Sequence, residues 1–123
     1  MKEFALVVTG SALGGVARYW LSGVVGRRVG ETFPWGTMAV NVSGAFAIGA
    51  VAALAASNPG FAALGLWHLG VIGFLGSYTT VSSFSLQTLA LLRDGQPWQA
   101  AGNVLLSLGL CLSAAAAGFA ATA

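Results

Sequence analysis

The chain has 123 residues, of which 57% are hydrophobic and only 7% charged, against about 25% charged in a typical soluble domain. So few charges exclude a water-solvated globule, and one domain of this size has too little interior for its apolar residues, so most face lipid or another copy of the chain. The net charge of +2, from Lys2, Arg18, Arg27, Arg28 and Arg93 against Glu3, Glu31 and Asp94, makes no basic patch for nucleic acid, and lone Cys111 cannot close an intrachain disulfide.

The pattern predicts a single all-α integral membrane domain over residues 1–123 with four transmembrane helices, spanning about 4–25, 38–56, 61–92 and 98–122. A helix needs about 20 apolar residues to cross ~30 Å of hydrocarbon, and each segment is long enough. The first, Phe4 to Val25, follows Lys2 and resembles a signal peptide at its start, but it contains Arg18 and is followed by three more apolar segments rather than by a polar domain. Arg18 is costly at membrane depth, by about 2.5–3.5 kcal/mol at the centre. It either snorkels to anchor the end of the span or sets a positive potential at the mouth of an anion path.

The next connection, Gly26-Arg27-Arg28 through Phe33-Pro34-Trp35-Gly36, has turn chemistry. In segment two, Met38 to Ala56, Asn41 lies between Val40 and Val42, and its buried amide must be satisfied. It is either an interhelical hydrogen bond or an uncharged donor facing a small anion. Segment three, Phe61 to Leu92, is too long for one plain span at roughly 32 residues. Its middle, Gly76-Ser77-Tyr78-Thr79-Thr80-Val81-Ser82-Ser83-Phe84-Ser85, is mostly polar, which predicts a helix break near 76–80, tolerated only inside an assembly or along a water-filled path. Phe84 has a positive ring edge that can touch an anion, although packing is the ordinary role of a phenylalanine. In segment four, Trp98 to Thr122, Asn103, Ser107 and Cys111 recur every four residues along one face.

Glycines at close helical spacing, Gly10, Gly14 and Gly15, then Gly44 and Gly49, then Gly70, Gly73 and Gly76, predict closely approaching backbones. Trp20, Trp35, Trp67 and Trp98 fall near span ends, as in an aromatic belt. Basic residues favour loops one and three inside by only a small margin, so insertion in both orientations is compatible with the sequence. No catalytic or metal-ligand constellation is present, and His68 reads as an interfacial residue beside Trp67; the chain is not expected to be an enzyme.

Three blocks then resemble the Fluc/CrcB family of fluoride channels across essentially the whole chain: Gly14 to Tyr19, Gly36 to Phe46, and Gly73 to Ser85. The resemblance implies a multi-pass protein of the cell inner (plasma) membrane, assembled in the bilayer as an antiparallel, dual-topology homodimer that exports fluoride passively. It implies a structural Na⁺ held by backbone carbonyls of Gly76 and Thr79 from both subunits, and a fluoride path along Asn41, Ser82, Ser83, Phe84 and Ser107, with Arg18 at its mouth. Three positions depart from the family pattern: Val81 stands where the first of two phenylalanines is usual, Gln87 where many members have Glu, and Cys111 where Ser is common. Valine has no aromatic edge, which leaves open slow conduction, conduction by Phe84 and hydroxyls alone, or a heterodimer with a complementary subunit. A non-conducting scaffold also remains open. A small multidrug exporter is disfavoured, because proton coupling needs an ionisable group at membrane depth and no acidic residue lies within a predicted span.

Overall fold

The computed structural model describes residues 1–30 and 32–123, with the backbone alone at Ala62; Glu31, counted above among the loop charges, lies outside the described residues. Among the described residues, four helical runs are long and apolar enough to cross a membrane, Lys2–Val29, Trp35–Ser57, Trp67–Arg93 and Pro97–Thr122. The fold is all-helical: α1 (Lys2–Val29), α2 (Trp35–Ser57), a 3₁₀ turn (Phe61–Ala63), a π-helix (Trp67–Leu75), α3 (Gly76–Tyr78), α4 (Ser82–Arg93) and α5 (Pro97–Thr122).

The limits of these elements follow local chemistry. α1 runs beyond the predicted end at Val25, because Arg27 and Arg28 complement the dipole in its last turn. It stops at Gly30, whose φ of 107° leaves helical geometry while its N–H still bonds the Gly26 carbonyl at 2.9 Å. Residues 26–28, read above as loop, are therefore helical. At the end of α2, Ser57 Oγ bonds the Ala53 carbonyl at 2.9 Å, and Asn58 Nδ2 bonds at 2.8 Å the carbonyl of Leu54, the first of the last four that a helix end leaves free. α4 ends in a Schellman motif: Gly95, with φ 73°, bonds Leu92 and Gln96 N bonds the Leu91 carbonyl at 2.9 Å. Pro97 then opens α5 at the first helical position, where its missing N–H costs nothing.

The third run differs from the sequence expectation at its start. Residues 61–63 form a separate 3₁₀ turn entered through Gly60 in the left-handed region at φ 84°, and the run itself begins at Trp67 in π rather than α winding. After Tyr78 the backbone turns extended at Thr79, with φ −77° and ψ 153°, and helix resumes at Ser82.

α2 packs mainly on α5, and α1 mainly on the π-helix. In both seams glycine brings main chain against main chain. A Cβ on Gly10 would fall on the Leu69 carbonyl and one on Gly14 on that of Phe74; across the other seam, Gly49 abuts the Ala115 carbonyl and Gly118 that of Phe46. Gly36 also lies close to the Ser22 carbonyl, though less tightly, joining α1 to α2. Gly70, expected in a seam, has open space about it. The most enclosed side chains are Val40 at 0% and Asn103 at 2% exposure, whereas Val16 and Leu105 are each more than two-thirds exposed. An exterior this apolar around so small an interior requires lipid or a further chain as its surroundings.

Candidate functional site

The extended backbone between α3 and α4 loses helical hydrogen bonds, and α2 replaces two of them through one side chain. Asn41 Nδ2 donates to the Thr80 carbonyl at 2.9 Å, and Thr80 N donates to Asn41 Oδ1 at 2.7 Å. Both ends of the amide are fixed by this pairing, since a main-chain N–H can only donate and a carbonyl can only accept. Of the alternatives open at Asn41, the interhelical bond is therefore present, and the NH₂ retains a second hydrogen. Thr80 in turn begins α4: its buried hydroxyl accepts from Ser83 N at 3.1 Å and lies 3.1 Å from Ser82 Oγ. This is the side-chain cap that satisfies a free N–H of the first turn.

The four carbonyls from Gly76 to Thr79 receive no hydrogen bond among the described residues; Thr80 N, four residues after Gly76, goes to Asn41, and Ser83 N, four residues after Thr79, goes to the Thr80 hydroxyl. They form a short run of unspent oxygen acceptors beside exposed Gly76.

Thr80, Ser83 and Gln87 follow at spacings of three and four, and so share one face of the third run. That face forms one wall of an open cavity of about 800 Å³, whose other walls carry Arg18, Arg27 and Thr37. Arg18 is half-buried there. Among the described residues the sole ion pair joins the N-terminal ammonium to Glu3 at 3.9 Å, so the cavity holds positive charge without a carboxylate partner from that set. Gln87 Oε1 is buried and has no hydrogen-bond partner among the described residues.

The sequence-predicted residues thus fall into linked groups. Arg18 and Ser83 share the cavity, while Asn41 and Ser82 are tied to it through Thr80. Gly76 and Thr79 contribute free carbonyls just before it. Ser107 lies elsewhere, buried on α5, where it bonds Asn103 one turn earlier on the same helix. Phe84 is half-buried, and its carbonyl accepts from Thr88 Oγ1 at 2.8 Å. Val81 is 77% exposed. The cavity roles of Thr37 and Gln87, and the partnership of Thr88 with Asn103, were not anticipated; the spacing of Thr80, Ser83 and Gln87 was the available signal for the first wall.

The model of the family described as CrcB-like protein, Camphor Resistance (CrcB), matches residues 5–119. The chain belongs to the CrcB family. Similar proteins include the fluoride-specific ion channel FluC 2 of Rhodopseudomonas palustris, 65% identical over 122 residues that cover 98% of this chain and 93% of that protein. FluC 2 of Bradyrhizobium diazoefficiens is 62% identical over 115 residues, covering 92% of this chain and 83% of that one. FluC 4 of Brucella abortus is 53% identical over 115 residues, covering 93% and 86%. The glycine seams, the Asn41 pairing and the Arg18 cavity therefore belong to a CrcB-family membrane protein with four candidate spans.

Proposed function

We propose that this protein is a fluoride-specific channel that lets the ion leave the cell down its electrochemical gradient. The observation that carries the reading is the 65% identity, over nearly the full length of both chains, to a relative named as such a channel. The residues supply suitable chemistry. Arg18 and Arg27 in an open cavity raise the local concentration of an anion. Beyond it, neutral donors must replace the ion's water without trapping it. Ser83 and the second amide hydrogen of Asn41 are such donors, with Ser82, the edge of Phe84, and Ser107 continuing the path.

The assembly we propose is an antiparallel, dual-topology homodimer in the plasma membrane, in which the interruption of the third span is covered by the partner. Polar main chain at membrane depth needs such cover. Na⁺ is its structural ion. The carbonyls of Gly76 and Thr79 fit it, being hard oxygen donors with no competing hydrogen bond among the described residues. Bound between two copies, the ion would hold the two interruptions together. A second arrangement, with a non-identical subunit, is favoured by Val81, which leaves an exposed site where the family pattern has a ring.

Purified protein in liposomes loaded with fluoride tests the reading, with efflux followed by a fluoride electrode and chloride as control. Fluoride efflux with chloride retained is the expected result. Equal efflux of both ions refutes selectivity, and no efflux from a folded dimer favours the scaffold or the non-identical partner.

A further inference from the structure

Between α4 and α5 runs a chain of hydrogen bonds separate from the Asn41 pairing. Thr88 Oγ1 donates to the Phe84 carbonyl at 2.8 Å, Asn103 Nδ2 donates to Thr88 Oγ1 at 2.9 Å, and Ser107 Oγ donates to Asn103 Oδ1 at 3.4 Å. The first link determines the direction of the others. A carbonyl can only accept, so Thr88 gives Phe84 its one proton and can only accept from Asn103. The Asn103 amide must then turn its NH₂ to Thr88 and its oxygen to Ser107, and Ser107 must aim its own proton at that oxygen.

The last link is weak. O–H···O bonds ordinarily span about 2.5–3.0 Å, and this one is longer. It is also unusual in its partner. Other hydroxyls in these helices bond a main-chain carbonyl: Thr9, Ser57, Thr79 and Thr88 the one four residues earlier at 2.8 to 3.0 Å, Ser22 and Ser43 the one three residues earlier, and Ser77 and Thr122 one on another helix. For Ser107 the carbonyl four residues earlier belongs to Asn103, and the Asn103 side chain accepts the hydrogen bond instead.

We propose that Asn103 is a positioning residue that keeps the Ser107 hydroxyl releasable. The amide, locked by Thr88, holds the Ser107 O–H on a long bond from which the intact hydroxyl can turn to donate to an arriving fluoride, and it accepts that hydrogen bond again when the ion moves on. This rests on the fluoride reading above. Without the amide, Ser107 bonds its main chain at ordinary length and turns to the ion less readily.

A double-mutant cycle in the liposome assay tests this. Asn103→Leu and Ser107→Ala are each expected to lower fluoride efflux by about tenfold or more, the loss of one hydrogen bond to a charged ion. The double variant should be no slower than the slower single variant, because both changes remove the same hydroxyl from use. Losses that multiply, or unchanged flux in Asn103→Leu, overturn the proposal. Should Asn103→Leu fail to elute as folded protein, Thr88→Val, which unlocks the amide at similar volume, replaces it in the same cycle, and Thr88→Ser should restore the flux that Thr88→Val loses. Absence of efflux from the unaltered protein overturns both the channel reading and this one; efflux with multiplying losses overturns only the role of Asn103.

Discussion

Asn41→Ala removes both hydrogen bonds that α2 makes to the main chain of Thr80, at 2.9 and 2.7 Å. Each buried main-chain group left without a partner costs about 1–3 kcal/mol, so the two together destabilise by roughly 2–6 kcal/mol, toward the lower figure where water reaches them. Relief of the amide's desolvation when a methyl group replaces it offsets part of this loss. Thr80 also caps α4 and contributes to the cavity wall, so loosening it displaces Ser83, whose N–H it holds at 3.1 Å. Asn41→Ala is therefore expected to lower the thermal unfolding midpoint in detergent by several degrees and to lower fluoride efflux together. Asn41→Asp separates the two bonds, since an ionised carboxylate still accepts from Thr80 N but cannot donate to its carbonyl. Measured by unfolding and efflux side by side, Asn41→Asp should be less stable than wild type, because its second carboxylate oxygen would face the Thr80 carbonyl that Nδ2 contacts at 2.9 Å. An Asn41→Ala protein with an unchanged midpoint would refute the reasoning, because the pairing would then contribute nothing.

Three further outcomes can be checked. Val81→Phe meets open space on its own protomer, where Val81 is 77% exposed, so the fold should survive and efflux should rise or hold; loss of folded protein would show that another chain packs there. Arg18→Gln should slow efflux at low ionic strength, with the deficit shrinking near 1 M salt, where the Debye length is about 3 Å; a deficit independent of salt would exclude a long-range charge effect. Gly118→Val would drive a side chain into the Phe46 carbonyl across the α2–α5 seam, and little folded protein should be recovered from detergent extracts; normal yield would mean that the seam can open.

Much of this molecule is legible without coordinates because hydropathy alone separates the apolar spans. The block from Gly76 to Ser85 stands out for the same reason, being polar where a lipid-facing helix would not be. What Asn41 touches was not legible: Thr80 lies 39 positions away, and an amide in a span looks the same whether it meets a main chain or an ion. The π winding from Trp67 to Leu75 was hidden too, since moving each hydrogen bond along by one residue leaves composition untouched. Of the glycines in seams, Gly36 was read as loop and Gly118 stands without a partner at three or four residues in its own segment, so spacing missed both. The Thr88–Asn103 bond joins two different segments, and only the placement of α4 beside α5 reveals it.

The π-helix bears on how this chain tolerates insertions and deletions. An α-helix turns about 100° per residue, and a wider winding accommodates surplus residues within the same stretch of axis. Deleting one residue between Trp67 and Leu75 could be absorbed by tightening to α geometry, without a gap in the chain. Without such tightening the phase of everything downstream would change by about 100°, carrying Thr80 out of reach of Asn41 and turning the Ser83 and Gln87 wall away from Arg18. A length change tolerable to the bilayer would thus be tolerable to the cavity only where the winding changes with it, which makes this segment a timing element for the angular setting of the second half of the protein.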